Sequence, residues 1–231
     1  FEACERQGVV FNLGTQRRWH PGLHMMREVI NGGELGALRS VIIQATPLFN
    51  GASHYFDNVL FLNRDLSACW VQMQLQDGDW TLKDNRLTED PVAYGGIGFE
   101  NEAVVYAIPS PRDVEFEARC ADGIIYATQQ QKYSMYCREQ PDNPRSPFEE
   151  TPFPAWKPMS ANLLLVQDLV HALDTGESPI GGVRVARAGA ELIFAAIESH
   201  LLGGARIDLP LTGSTVRLER HRAPRQPRLE G

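Results

Sequence analysis

The chain has 231 residues, of which 43% are hydrophobic and 22% are charged, and this balance is typical of a globular protein with a substantial core. Its formal net charge of -7 argues against a general nucleic-acid or anionic-membrane binder, which needs clustered lysines and arginines. One local exception begins at Arg217, where five arginines, with Pro224 and Pro227 among them, outnumber Glu219 and Glu230. We expect residues 221–231 to form a disordered basic tail rather than a binding arm.

The cysteines are too scattered to form a zinc site, because none of them makes a CxxC or CxxH pair. Cys4, Cys69, Cys120 and Cys137 are therefore expected to be reduced thiols in a cytoplasmic protein. No apolar run reaches the length of a membrane span, and no basic-then-apolar signal opens the chain.

The first third of the chain alternates helix and strand signals. Residues 1–8 have the composition of a helix closed by a glycine, and the apolar run Val9–Leu13 predicts a short buried strand. A helix is expected from about His20, because Pro21 suits an early helical position and apolar residues share one face. The β-branched residues of 37–48 then predict a sheet strand.

The middle of the chain changes to a period of two. Five runs, at 92–99, 103–108, 114–118, 123–128 and 133–136, are separated by turn residues and predict an antiparallel meander. The proline-rich segment 139–158 is expected to be irregular. Two amphipathic helices follow, one from about Ser160 and one ending at His200. Together these elements predict an α+β fold with an open, mainly antiparallel sheet and helices packed on one face.

The stretch 49–62 contains the strongest candidate for a working residue. Small and polar residues, Asn50 to Ser53, precede the apolar run Val59 to Leu62, so His54 is expected in the first turn of a helix. Imidazole titrates nearest neutrality and can transfer a proton from such a position. Two other interpretations stay open: a histidine that only caps a helix, or a metal site shared with Asp57, for which no third ligand is evident.

Common nucleotide-binding and hydrolase motifs are absent from the sequence. There is no G-x-G-x-x-G, no Walker loop, no G-x-S-x-G and no H-E-x-x-H. The glycines of 95–98 lie within a strand pattern and indicate a bulge or a close backbone approach.

The order of several weaker motifs resembles one known family. The run Asn12 to Pro21, followed by Ile30 to Leu38, resembles the strand, arginine turn and G-x-x-G hairpin of the glucose-fructose oxidoreductase / inositol dehydrogenase / MocA (Gfo/Idh/MocA) family. Residues Gly51 to Asp57 are similar to its G-x-H-x-x-D element. Residues 173–180 and 199–211 resemble its closing helix pair and final strand.

The resemblance implies a division of the chain into parts. Residues 1–18 would be the last helix-strand remnant of a Rossmann domain for NAD or NADP, and residues 19–220 an α+β domain for substrate binding and homo-oligomerisation through the open sheet face. The glycine fingerprint and the lysine that assists proton transfer in the family have no counterpart here. We therefore expect the dinucleotide to be bound mainly by a missing N-terminal domain, and this chain alone to be inactive.

The resemblance also assigns roles to residues. His54 would be the catalytic acid or base, and Gln16 and Arg17 would lie near the nicotinamide. Substrate-binding candidates are Asn50, Arg17, Tyr55 and Lys132. The family usually carries an aspartate where Asn50 stands, and an amide can hydrogen-bond a hydroxyl but holds no charge.

These expectations lead to two functional hypotheses. The first is the substrate-binding part of an NAD(P)-dependent oxidoreductase that acts on a sugar, polyol or related carbohydrate. The second, favoured by Asn50, is a non-catalytic ligand-binding or oligomerisation domain with the same fold.

Overall fold

The computed structural model describes residues 1–78, 80–109, 113–141 and 143–218, so the basic tail predicted for 221–231 lies outside the described residues. The α-helices are α1 (Glu2–Gln7), α2 (Pro21–Asn31), α3 (Gly51–Leu62), α4 (Ala161–Thr175) and α5 (Val183–Leu201), and a 3-10 helix spans Gln16–Trp19. The strands are β1 (Leu38–Gln44), β2 (Thr46–Pro47), β3 (Ala68–Leu75), β4 (Leu82–Lys83), β5 (Arg86–Leu87), β6 (Val92–Phe99), β7 (Val104–Ile108), β8 (Val114–Cys120), β9 (Gly123–Thr128), β10 (Tyr133–Arg138), β11 (Phe148–Thr151), β12 (Ile207–Asp208) and β13 (Arg217–Leu218).

A large, mostly antiparallel sheet forms the centre of the fold. Its strand order is β11-β10-β9-β8-β1-β7-β6-β3-β12, with β2 paired to β6. All five runs of period two form strands, as predicted, but they are not one uninterrupted meander. Strand β1 inserts between β7 and β8, parallel to β7 and antiparallel to β8. Sequence periodicity detects strands but not an insertion of this kind, because it carries no information on which strands pair.

The helices cover one face of this sheet. Helix α5 packs against β3 and α3, and apolar residues that alternate along the strands, such as Val41, Ile43 and Ile125, are buried beneath the helices. On the opposite face Tyr94, Tyr106 and Ile108 are exposed. The predicted α+β architecture, with helices on one face of an open sheet, is confirmed.

The Trp70 side chain covers two glycines on the open face of the sheet. The Trp70 indole lies across Gly96 and Gly98 of the neighbouring strand, and a methyl group on Gly98 would overlap its ring. The Arg206 guanidinium lies 5.2 Å from the centre of the Trp70 ring. Glycine is therefore required at position 98 for close packing by a side chain rather than for a turn.

Two predictions of local structure were wrong. Val9–Leu13 is irregular rather than a strand: Val9 is 58% exposed, and the Leu13 N–H donates to the Gly181 carbonyl at 2.8 Å. Among the described strands none pairs with this segment, and an apolar run cannot form a sheet strand without a partner. Conversely, β11 forms inside the proline-rich segment, because Phe148–Thr151 contains no proline and can pair with β10.

None of the described helices is long and apolar enough to cross a bilayer. All four cysteines are free thiols. Within the described ranges no three histidine, cysteine, aspartate or glutamate side chains gather as metal ligands would.

Candidate functional site

The turn that precedes α3 is held by a carboxylate from another part of the chain. Asp90 accepts hydrogen bonds from the backbone N–H groups of Phe49 (2.6 Å) and Asn50 (3.1 Å). Asn50 occupies the N-cap position, yet its own side chain makes no capping hydrogen bond. A negative charge at the N-terminus of a helix is favourable. Asp90 therefore fixes the start of α3 and leaves the Asn50 amide uncommitted to capping.

His54 lies in the first turn of α3, as predicted, and is half-buried. Its Nδ1 atom is buried and has no hydrogen-bond partner among the described residues. Burial lowers the pKa of His54, the nearby Arg17 cation lowers it further, and the Asp57 carboxylate partly opposes both. The imidazole is therefore neutral at neutral pH and can accept a proton.

Arg17 and Tyr55 lie beside His54. The Arg17 guanidinium forms an ion pair with Glu115, whose side chain is 10% exposed, while that of Arg17 is 44% exposed. The guanidinium also lies 5.7 Å from the centre of the Tyr55 ring. Burial raises the pKa of Tyr55, and Arg17 partly offsets this effect. The site therefore has an exposed Arg17 cation, whose charge is partly neutralised by the buried Glu115 carboxylate, next to the neutral imidazole of His54.

Glu115 was missed by the sequence interpretation. It sits at an irregularity in β8, where Val114 pairs with Thr128 and Phe116 pairs with Ala127, so Glu115 has no partner residue in β9. Bulges of this kind redirect a side chain and are common beside functional sites. The sequence of β8, VEFEARC, gave little signal, because Glu115 and Glu117 alternate with apolar residues as charged residues do on the solvent face of a strand.

A buried ion pair between Arg18 and Asp57 lies beside the candidate site. Arg18 donates from Nε to Asp57 Oδ1 at 2.9 Å, and Thr15 Oγ1 donates to Asp57 Oδ2 at 2.7 Å. Arg18 also donates to Asp65 Oδ1 at 2.8 Å. Both carboxylate oxygens of Asp57 thus accept hydrogen bonds within this buried cluster. The pair joins the 3-10 helix to α3 and so positions Arg17 beside His54.

A second group of polar and aromatic side chains lies nearby on the same end of the sheet. The Tyr133 hydroxyl is 3.4 Å from His20 Nδ1, and burial lowers the pKa of His20 while a hydrogen bond with Gln131 raises it. The Tyr133 ring stacks on Phe153, with 4.9 Å between ring centres. His20 follows Arg17 by three residues, and Tyr133 begins β10. The sequence interpretation placed His20 at the start of a helix and did not pair it with Tyr133.

The predicted site residues are only partly brought together. His54, Arg17 and Tyr55 are neighbours, and Gln16 is half-buried in the same 3-10 helix as Arg17. The Lys132 side chain is exposed, its backbone N–H donates to Thr128 Oγ1 at 3.2 Å, and no described contact joins it to His54. Its substrate-binding role stays a prediction.

A wide cleft lies elsewhere in the described structure. It has a volume of about 760 Å³, lies between α2 and α4, and is lined by residues that include Trp19, His24 and Trp156. None of the predicted site residues lines it. The candidate site is therefore defined by its polar side chains rather than by this cleft.

This domain has the fold found in NAD-dependent oxidoreductases. Among solved structures, the chain is similar to an aldose-aldose oxidoreductase from Caulobacter crescentus complexed with glycerol, with 15% identity, a TM-score of 0.67 and coverage of 90% of this chain and 66% of that one. It is also similar to a levoglucosan dehydrogenase in complex with NADH and levoglucosan, with 18% identity, a TM-score of 0.63 and coverage of 91% and 69%.

A third similar structure is an oxidoreductase from Agrobacterium radiobacter in complex with NAD+, L-tartaric acid and magnesium, with 13% identity, a TM-score of 0.63 and coverage of 90% and 67%. The chain thus spans about two thirds of the length of these proteins. No protein-family profile matches the sequence, and no curated protein matches it. At these identities the likeness establishes a shared fold, in agreement with the oxidoreductase resemblance of the sequence motifs.

Proposed function

We propose that this chain is the substrate-binding and oligomerisation part of an NAD(P)-dependent oxidoreductase that acts on a sugar, polyol or related carbohydrate. The observation that carries the proposal is the position of His54, in the first turn of α3 with its Nδ1 buried, beside the exposed Arg17 cation. The shared fold supports the same class of reaction, because similar domains occur in oxidoreductases solved with glycerol and levoglucosan.

In the oxidation direction, His54 accepts the proton of the substrate hydroxyl. Because Nδ1 is buried, Nε2 is the nitrogen that a bound molecule can reach. The bound dinucleotide supplies hydride acceptance. Arg17 and the Asn50 amide orient hydroxyl groups, and Tyr55 supplies an aromatic surface against which Arg17 is held.

The residues fit the nicotinamide end of a dinucleotide rather than the whole cofactor. Gln16 can hydrogen-bond a carboxamide, and the exposed guanidinium of Arg17 can face an anionic or carbonyl group. The sequence has no glycine-rich phosphate cradle. We therefore propose that residues 1–18 connect to a separate nucleotide-binding domain, which binds most of the dinucleotide.

The first experiment is calorimetric titration of the 231-residue chain with NAD(H) and NADP(H). We expect no binding in the micromolar range. Micromolar binding would contradict the proposal that a separate domain binds most of the dinucleotide.

The second experiment joins the chain to a nucleotide-binding domain and assays a panel of sugars and polyols. His54→Ala is expected to lower kcat by about 10² to 10⁴-fold, whereas His171→Ala, at a histidine with a 61% exposed side chain, leaves turnover unchanged.

A second candidate function is a non-catalytic ligand-binding or oligomerisation domain of the same fold. Asn50 favours it, because its neutral amide places no charge four residues before His54. In that case the joined protein binds carbohydrates without turnover, and His54→Ala changes binding only.

Both candidate functions use the open sheet face to form a homo-oligomer. Tyr106→Glu, on that face, is therefore expected to yield monomers in sedimentation velocity experiments. Leu202→Glu, at an exposed residue after α5, is expected to leave the oligomer intact.

A further inference from the structure

Helix α3 carries a second buried polar side chain that the proposed reaction does not use. Asn58 is 0% exposed, and both its Oδ1 and its Nδ2 lack a hydrogen-bond partner among the described residues. The Nδ1 atom of His54 is in the same condition. Buried polar groups are nearly always paired, with protein or with an ordered water, so these three atoms require an account.

The helix itself brings the two side chains together. His54 and Asn58 are four residues apart in α3, which places their Cβ atoms about 5–6 Å apart on one face. Long side chains in a helix lean toward its N-terminus, so the Asn58 amide leans toward the turn that holds His54. The nearest carboxylate along the helix, Asp57, already accepts from Arg18 and Thr15.

We propose that Asn58 is a positioning residue that fixes the tautomer of His54 through one buried water molecule. This proposal rests on the proposed function of His54 as a proton acceptor. The water accepts hydrogen bonds from His54 Nδ1–H and Asn58 Nδ2–H and donates one to Asn58 Oδ1. All three orphaned atoms are then satisfied, and three hydrogen bonds are the usual number for a buried water.

The arrangement has a direct chemical consequence. A neutral imidazole carries one proton, and a hydrogen bond at Nδ1–H leaves the lone pair on Nε2. Nε2 is the nitrogen that faces a bound molecule, so Asn58 keeps His54 in the form that can accept a hydroxyl proton. Free histidine favours the Nε2–H tautomer. An Nδ1–H tautomer in His54 therefore indicates a hydrogen-bond acceptor at Nδ1.

The test measures the ring ¹⁵N shifts of His54 in the 231-residue chain at a pH where the imidazole is neutral. The parent chain is expected to show the Nδ1–H form. Asn58→Thr and Asn58→Val form a matched pair, because the two side chains have the same shape and only threonine can bind the water. Asn58→Thr should retain the Nδ1–H form, and Asn58→Val should shift the equilibrium toward Nε2–H. In the complete enzyme, Asn58→Val should lower kcat with KM unchanged.

Asn63→Leu is the control, because Asn63, at the C-cap of α3, is also buried but is paired with Asn101, and it should leave the His54 tautomer unchanged. An Nε2–H tautomer in the parent chain, or the same tautomer in the Thr and Val variants, would overturn the positioning role. The failure of the proposed function is distinguishable: full turnover by His54→Ala would refute His54 as proton acceptor without altering the ¹⁵N result.

Discussion

Arg18 and Asp57 form an ion pair that is closed to solvent, with 2.8 Å between Arg18 Nη2 and Asp57 Oδ1 and side chains that are 0% and 1% exposed. The two residues lie on different elements, the 3-10 helix and α3. Because Arg17 precedes Arg18, this buried contact also fixes the exposed cation of the candidate site. Stability and site geometry are thus coupled at one pair of residues.

Removal of the Asp57 charge is expected to be costly. Asp57→Asn leaves the buried Arg18 guanidinium without its full counter-charge, and breaking a buried pair in this way costs about 3–5 kcal/mol in the free energy of unfolding. Asp208→Asn is the comparison, because it removes an ion pair with Arg206 whose side chains are 79% and 57% exposed. There we expect about 0–1 kcal/mol. Urea unfolding measures both, and equal effects would contradict the prediction.

The free energy of unfolding should decrease as pH falls below about 6.5, the pKa of an unperturbed histidine. Burial lowers the pKa of His20, His24 and His54 in the folded protein. The unfolded chain therefore binds protons at a higher pH than the folded one, and stability is lost as pH falls from the unfolded pKa through the folded pKa.

Urea midpoints at pH 7.5 and 5.5 test this pH dependence. His54→Gln should weaken it, since one of the three contributing groups is gone. A His54→Gln variant with the pH dependence of the parent would show that His54 titrates normally.

Gly98→Ala is expected to displace Trp70 from the open face of the sheet. The added methyl group would overlap the indole, and overpacking of this kind costs about 1–3 kcal/mol. The same substitution in a Trp70→Ala background should cost less, because the overlapping side chain is absent. A double-mutant cycle by urea unfolding, with tryptophan fluorescence as a second readout, measures the coupling. Additive costs would mean that the two residues do not interact.

Cys120 should react slowly with thiol reagents in the folded chain. It is 7% exposed, and burial together with the Asp122 charge raises the pKa of its thiol to about 11. At pH 8 about one thiol in a thousand is then the reactive thiolate. Timed alkylation with mass spectrometry should label Cys69 and Cys137, both half-buried, well before Cys120. Equal rates for the three would contradict this assignment.

Elements specified by local pattern could be predicted from the sequence, and contacts between distant segments could not. Pro21 and the apolar face that follows it predict α2, and the small residues before Val59 place His54 in the first turn of α3. The Arg17–Glu115 pair joins residues far apart in the chain through a bulge, which no local period reveals. Val9 illustrates the opposite error, since an apolar run without a partner strand is not a strand.

The insertion of β1 between β7 and β8 affects how the protein can fold during its synthesis. The two partners of strand β1, which begin at Val104 and Val114, leave the ribosome roughly sixty to eighty residues after it, and closing such loops is slow. Until then β1 exposes two unpaired edges of β-branched residues, a surface prone to aggregation. A chain arrested before residue 104 should therefore require a chaperone, whereas one that extends past Cys120 can complete the centre of its sheet.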